Sequence, residues 1–191
     1  PIKDQQAIAE YLDAKTAEID TLVADCEREV ELLREYRKAV ISEAVTKGLD
    51  PNAPMKDSGI EWIGETPEGW RCCRVKQVAT ISSGATPNRE NYSYWNGSIP
   101  WIKTGELQNA LIQESEEFIT QTALEETSVQ LYPAGTILMA MYGQGKTRGM
   151  TGLLAIESTT NQACAAIQVY TADDVHCIWK ALIAGYDAIR D

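Results

Sequence analysis

The sequence has 191 residues, of which 44% are hydrophobic and 24% are charged, and its formal net charge is −11. This composition is typical of a globular protein and argues against a disordered one. The acidic charge excludes a simple basic protein that coats DNA, because neutralisation of phosphates by Lys and Arg normally dominates such affinity.

The apolar pattern, the N-terminus and the cysteines argue against further classes of protein. No apolar run approaches the roughly 18 residues of a membrane span, and the first residues lack the apolar segment of a signal peptide. The five cysteines include the adjacent Cys72 and Cys73 and form no Cys-x-x-Cys motif, so they indicate neither disulfides nor a zinc site. The single histidine, His176, is given no role. We predict a cytoplasmic chain without metal or cofactor and, because it begins at Pro1 rather than Met, a fragment.

Residues 5–47 contain neither Pro nor Gly and are mostly good helix formers, so they predict one long helix of about 43 residues. Apolar residues recur at every seventh position and at an offset position of the same seam, a pattern typical of coiled coils. Because so narrow a stripe cannot be buried against itself, we expect a second helix, from another copy or another segment, to pair with it. The seam residues are Leu12, Ile19, Val23, Cys26, Val30, Leu33, Val40 and Ala44.

Gly48 is expected to end this helix, and the Pro and Gly residues that follow predict a connector that no helix can cross. Within the connector Trp62, Ile63 and Trp70 are too apolar to remain in water, so we expect them to pack on the domain that follows. The predicted divisions are a spacer helix over 1–48, a connector over 49–70 and a mixed domain over 71–191 that is incomplete at its C-terminus.

After the connector, short apolar runs alternate with turns, which predicts a mixed α and β domain and an overall α+β fold class. One short helix is expected within 121–130, and an amphipathic helix over 175–190 follows Asp173 and Asp174 as possible N-caps. The predicted strands cover 75–82, 99–103, 136–142, 153–157 and 165–170.

Several stretches resemble the specificity subunits of type I restriction-modification systems. Pro1 to Asp13 match the run Pro-x-x-x-Gln-Gln-x-Ile-Ala-x-Tyr-Leu-Asp that leads into the spacer helix of that family. Residues 44–51 and 56–65, with Pro67 and Trp70, look like the segment that closes the spacer and opens the next recognition domain. Stretches similar to landmarks of the family's target-recognition domains are 101–107, 135–138, 143–149 and 161–163.

The resemblance implies a non-catalytic DNA-recognition component. Each recognition domain of such a subunit reads one half of a split target in double-stranded DNA, and paired helices set the distance between the halves. The subunit also docks methyltransferase subunits, which restriction subunits join. Full-length members have two recognition domains and two spacer helices, whereas this chain has one helix and most of one domain.

The stretch from Ala140 to Thr147 fits a loose phosphate-loop pattern, but a true phosphate loop must open a helix. Here Gly149 and Gly152 precede an apolar run, which favours a turn between two strands. At such a hairpin tip, glycines would allow close backbone approach, while Lys and Arg would contact phosphate or guanine and Gln would contact adenine. The candidate DNA-binding residues of the tip are Gly143, Gln144, Gly145, Lys146, Thr147 and Arg148.

A second candidate is the polar loop 82–89, which precedes Tyr92, Tyr94 and Trp95. Loops of this type often carry recognition, whereas the three aromatic residues are equally well explained by packing. DNA contact is therefore assigned to Thr86, Asn88 and Arg89, together with Lys103 and Thr104 from the 101–107 landmark.

Two other functions stay open. A coiled-coil assembly protein whose mixed domain binds protein would suit the acidic charge, and a nucleotide-binding enzyme could use the Gly143–Thr147 loop. The sequence lacks both the Asn/Asp-Pro-Pro-aromatic tetrapeptide that adenine methyltransferases share and a Gly-x-Gly-x-x-Gly turn. No catalytic residue is predicted.

Overall fold

A computed structural model describes residues 1–143 and 145–190. The chain divides into two compact units, Pro1–Val40 and Ile41–Asp191. In the described residues the helices are α1 (Ile2–Lys47), α2 (Gln121–Glu126), α3 (Val175–Ala184) and α4 (Tyr186–Arg190). The strands are β1 (Met55–Asp57), β2 (Glu65–Pro67), β3 (Ala79–Ser83), β4 (Trp95–Ile102), β5 (Ala110–Ile112), β6 (Phe118–Ile119), β7 (Ile137–Ala140), β8 (Thr151–Leu154), β9 (Thr159–Thr160) and β10 (Cys164–Val169). None of the helices among these residues combines the length and the apolar character needed to cross a membrane.

Helix α1 has 46 residues and confirms the predicted long helix. It ends where Gly48 adopts a φ of +77°, a left-handed conformation that glycine reaches without the steric penalty of a Cβ atom. Every side chain of the Pro1–Val40 unit is exposed. The aliphatic seam residues in this unit keep between 46% and 58% of their surface accessible. The unit therefore has no core of its own.

The connector forms a small antiparallel hairpin from β1 and β2, in which Met55 pairs with Pro67. Trp62 and Trp70 of the connector contact other residues of the Ile41–Asp191 unit, but 39–40% of their surface stays exposed. A methyl group added at Gly185 would lie 3.2 Å from the Trp62 ring, and one added at Gly48 would lie 3.3 Å from the Trp70 ring. The two rings thus pack against glycine backbone, and their burial is only partial.

The mixed domain is built on a five-stranded sheet of order β3-β10-β7-β8-β5, and a second sheet of three strands has the order β6-β4-β9. Most neighbouring strands are antiparallel, whereas β5 runs parallel to β8 and β4 runs parallel to β9. The apolar pattern of β7 and β8 explains why the larger sheet is covered on both faces. Ile137 and Leu153 belong to one core cluster, whereas Leu138 and Leu154 belong to another, as the two-residue period of a strand requires.

Helix α3 covers one face of the larger sheet. Trp179, Leu182 and Ile183 pack in the cluster that contains Ile137, and the Trp179 indole Nε1 donates a hydrogen bond of 2.9 Å to the Thr151 hydroxyl. Burial of these large apolar side chains, at about 25 cal/mol per Å² of apolar surface, fixes the helix on the sheet.

Three local predictions need correction. The expected helix over 175–190 is two helices, α3 and α4, separated at Gly185. Asp174 makes no capping hydrogen bond, because its backbone already has helical angles at the end of a 3₁₀ turn, whereas an N-cap needs an extended conformation. The expected strand over 75–82 begins only at Ala79, since residues 75–77 form another 3₁₀ turn.

Cys164 allows a test of the packed core. Its side chain is fully buried, and burial raises the pKa of its thiol to about 11, whereas Cys72, Cys73 and Cys177 are exposed. Because the thiolate is the reactive species, we expect iodoacetamide at neutral pH to modify these exposed cysteines and to spare Cys164 in the native chain. Peptide mass mapping measures the modification, with guanidinium-unfolded chain as the positive control. Modification of Cys164 as fast as Cys177 in the native chain would contradict this packing.

Candidate nucleic-acid interface

Strand register brings the predicted DNA-binding loops to one end of the larger sheet. Ser83 at the end of β3 pairs with Ala165 near the start of β10, and Ala140 at the end of β7 pairs with Cys164. The segments that adjoin these strand ends therefore leave the sheet on the same side, as does the segment before β5, which starts opposite Gly152. We call this side the loop end, and its segments are 84–89, 103–109, 141–150 and 161–163.

The turn 161–163 links two of these segments. The Ser83 hydroxyl donates to the Gln162 carbonyl oxygen at 3.1 Å, and the Thr86 hydroxyl donates to the side-chain oxygen of Gln162. On the other side, the Met141 amide donates to the Ala163 carbonyl oxygen at 2.8 Å. Asn161 and Gln162 were not among the predicted site residues, although they lie in a stretch similar to a family landmark.

Gly84 lets the first loop approach this turn. A Cβ atom at this position would lie 2.2 Å from the Thr160 carbonyl oxygen, which is closer than any real Cβ contact. The neighbouring Ala85 amide donates to the same carbonyl oxygen at 2.9 Å. A glycine is therefore required where the two backbones meet.

Two separate sets of candidates line one open groove of about 500 Å³. From the first loop come Thr86 and Arg89, and from the 101–107 stretch come Lys103 and Thr104. Asn88 does not line this groove, and its side-chain oxygen instead accepts a hydrogen bond of 3.0 Å from the Glu90 amide within its own turn. The other residues of the lining are Trp101, Gly105, Glu106, Glu116 and Asn161.

The cations of this groove are already paired with carboxylates. Arg89 Nη1 lies 2.5 Å from a Glu117 carboxylate oxygen, and Lys103 Nζ lies 2.9 Å from Glu116 and 3.0 Å from Glu117. The hydrogen bond to Glu116 raises the pKa of Lys103, while the hydrogen bond from Arg89 lowers the pKa of Glu117. The nearby carboxylates largely compensate the charge of both cations, and sequence reasoning missed the two glutamates that do this.

Some aromatic residues beside the groove pack against each other, whereas one is exposed. Trp95 and Trp101 meet edge to face with ring centroids 5.2 Å apart, and the Arg89 guanidinium lies 3.9 Å from the Trp95 ring centroid. Tyr94 packs in the same cluster, whereas Tyr92 is 86% exposed. Packing therefore accounts for Tyr94 and Trp95.

The stretch after β7 is a hairpin tip, as predicted, and not a phosphate loop. Strands β7 and β8 pair antiparallel, with Met139 opposite Thr151, so the segment between them turns back into a strand instead of opening a helix. Lys146 and Arg148 are exposed, and neither forms an ion pair with any residue in the described part of the chain. Thr147 is half-buried, and Gln144 lies outside the described residues. The tip thus carries cations whose charge is not compensated by a described carboxylate.

Residues 67–189 match the family described as the type I restriction modification DNA specificity domain, which covers more than half of the chain.

The chain belongs to this DNA specificity family.

Two relatives of the specificity family extend the match. The MjaIX specificity subunit of Methanocaldococcus jannaschii, a type I restriction enzyme subunit, is 35% identical over 106 residues, which are 52% of this chain and 23% of that protein. The EcoR124I/EcoR124II specificity subunit of Escherichia coli is 26% identical over 167 residues, or 85% of this chain and 35% of that protein. The family match and these names confirm the predicted resemblance to type I specificity subunits.

Solved structures show that the fold is shared. The HsdS subunit from Thermoanaerobacter tengcongensis matches with a TM-score of 0.54 over 96% of this chain and 40% of that chain, at 17% identity. The S subunit from M. genitalium matches with a TM-score of 0.51 over 86% of this chain. The predicted α+β class is thereby confirmed, and the chain spans between about a quarter and two-fifths of the relatives named here.

Replacing Glu117 tests the paired cations of the groove. The pKa of Glu117 lies below its ordinary value of 4.5, so its ionised form stabilises the fold above that pH, and this contribution is lost as the pH falls through the lowered pKa. We expect Glu117→Gln to lower the free energy of unfolding by about 1 kcal/mol or less near neutral pH, the range for accessible pairs. Denaturant unfolding over a pH series measures the effect, which should shrink in acid.

Glu114→Gln is the matched control, since Glu114 is exposed and forms no ion pair with another described residue. A destabilisation by Glu117→Gln that persisted unchanged below the pKa of Glu117 would show that the ion pairs are not its cause.

Proposed function

We propose that this chain reads one half of a bipartite target in double-stranded DNA as the specificity component of a type I restriction-modification complex. The observation that carries the proposal is the convergence at the loop end of four chain segments, one of which presents Lys146 and Arg148 without described ion-pair partners. Loops on a rigid sheet are the usual carriers of recognition. We also propose that the chain itself performs no catalysis and that it acts in the cytoplasm.

The charge distribution predicts a weak but selective DNA contact. The formal net charge of the whole chain is −11. In the groove, Arg89 and Lys103 already form ion pairs with Glu116 and Glu117. At the loop end few cations remain to neutralise DNA phosphates, although this neutralisation normally supplies most of the affinity for DNA. We therefore propose that partner subunits, of the methyltransferase and restriction types, supply much of the phosphate contact.

The hairpin tip and the groove should respond differently to loss of their cations. We expect Lys146→Ala/Arg148→Ala to abolish enrichment of specific sequences from a random-sequence duplex DNA library. The salt dependence of binding should also fall, by about one phosphate contact for each of the two cations that contacts the DNA backbone. Arg89→Ala/Lys103→Ala should have a smaller effect, because carboxylates already compensate these charges. Sequencing of retained DNA at low salt and binding over a salt series are the measurements.

Arg74→Ala/Lys76→Ala is the matched control for this experiment. These two exposed cations precede β3, at the opposite end of the sheet from the loop end, and their removal changes the net charge by the same amount. Equal loss of enrichment in the control and the tip variant would mean that overall charge, rather than the tip, governs selection. Unchanged selection in the tip variant would favour the alternative in which the domain binds protein.

The second part of the proposal concerns α1. An exposed apolar seam along the Pro1–Val40 unit favours association with another helix, since burial of apolar surface stabilises such pairing. We propose that this second helix comes from another copy or from another segment of a longer subunit, that the pair fixes the distance between two half-sites, and that it docks methyltransferase subunits.

Cys26 provides a direct measurement of helix pairing. It occupies the seam, and in the purified chain the second helix would have to come from another copy, so we expect a dimer in which Cys26 reacts with iodoacetamide more slowly than the exposed Cys177. Leu33→Glu should yield a monomer and equalise the two rates, because it places a charge one heptad away in the same seam. Analytical ultracentrifugation and mass mapping provide the measurements.

The control substitution is Ala24→Glu, which adds the same charge two positions before Cys26 on the outer face of the heptad pattern. It should leave both the dimer and the slow reaction of Cys26 intact. A wild-type chain that is monomeric while fully helical would contradict the pairing of the seam.

A further inference from the structure

The hairpin tip contacts two side chains of α4. The Tyr186 hydroxyl donates a hydrogen bond of 2.5 Å to the Lys146 carbonyl oxygen, and Arg190 Nη2 donates one of 2.8 Å to the Gly145 carbonyl oxygen. Both acceptors belong to the backbone of the tip, so the contacts restrain its conformation and leave the Lys146 side chain free to meet another molecule.

Tyr186 and Arg190 also contact each other and the far side of the tip. The Arg190 guanidinium carbon lies 5.0 Å from the Tyr186 ring centroid, and its Nη1 donates to the Tyr186 hydroxyl. A methyl group at Gly149, whose φ is +86°, would lie 3.3 Å from both the Tyr186 ring and the Arg190 Cγ atom. The two side chains therefore contact the tip backbone at 145–146 and again at Gly149.

Helix α4 is itself anchored to the domain. Ile189 packs in the core cluster that contains Trp179. At the break between α3 and α4, the Trp62 ring of the connector lies directly against Gly185. The tip is thereby tied to the core and to the connector through one short helix.

We propose that Tyr186 and Arg190 are positioning residues that hold the backbone of Gly145 and Lys146 in the single conformation from which the hairpin tip discriminates between base sequences. The proposal rests on the proposed function, because it assumes that the tip meets DNA. Readout of base edges requires donors and acceptors placed in a fixed geometry, whereas contact with phosphates tolerates movement. Loss of the restraint should therefore reduce sequence discrimination and leave charge-driven binding unchanged.

The substitutions Tyr186→Phe and Arg190→Lys test this proposal with little change in size or charge. The first removes a single hydroxyl, and the second keeps the positive charge but loses the planar fork that reaches both Gly145 and Tyr186. Tyr170→Phe is a matched control, since Tyr170 follows β10 at the opposite end of the sheet, is 66% exposed and makes no side-chain hydrogen bond with a described residue. Arg74→Lys is the corresponding control for the arginine.

Four measurements on the full chain separate positioning from stability. Amide hydrogen exchange across 141–150 should become roughly fivefold faster in each variant, as expected for loss of about one hydrogen bond. Enrichment from a random-sequence duplex library should fall roughly tenfold, the scale of one lost base contact. The salt dependence of binding should stay at the wild-type value, because every cation is retained. The thermal unfolding midpoint should fall by no more than about 2–4 °C, the shift expected for about 1 kcal/mol.

The outcomes distinguish this inference from the proposed function. If Lys146→Ala/Arg148→Ala abolishes sequence selection while Tyr186→Phe and Arg190→Lys leave both exchange and selection unchanged, the positioning role is overturned and the DNA-reading function stands. If the tip exchanges faster in both variants but Lys146→Ala/Arg148→Ala leaves selection intact, the restraint exists and the assignment of DNA reading to the tip is wrong. A fall in selection for Tyr170→Phe equal to that for Tyr186→Phe would also overturn the inference.

Discussion

The position of β10 between β3 and β7 is the constraint on which the interface depends. Its register places Ser83 opposite Ala165 and Ala140 opposite Cys164, and it is through these pairs that the first loop, the hairpin tip and the turn 161–163 share one end of the sheet. A slip of one residue would turn every side chain of β10 to the other face, moving Cys164 and Ala166 out of one buried cluster and Ile167 out of the other. Core packing therefore fixes the register, and the register fixes the interface.

Two kinds of cation lie at the loop end, and the proposed DNA contact uses them differently. Arg89 and Lys103 are compensated by Glu116 and Glu117 and shape the wall of the groove, whereas Lys146 and Arg148 extend from a tip whose backbone is restrained by α4. An acidic protein can read DNA in this way, because a few well-placed groups specify a sequence while phosphate contacts mainly set affinity.

The long helix α1 leaves its apolar side chains exposed, whereas the mixed domain buries them. Within Pro1–Val40 all side chains are exposed, including an apolar seam that in most proteins would be covered. Local propensity is enough to define the helix, but its stability in water depends on tertiary or quaternary packing of the apolar face.

Those elements whose signals are local could be predicted from the amino-acid sequence. The run without Pro or Gly predicts α1, heptad spacing predicts its seam, and glycines before an apolar run predict the hairpin that β7 and β8 form. Tertiary structure alone decided the pairing of Arg89 with Glu117, 28 residues away, and the contact of Tyr186 with Lys146, 40 residues away. It also decided the break at Gly185, where the Trp62 ring lies. Such contacts join residues distant in the chain, and local propensity contains no information about which of them the strand register will bring together.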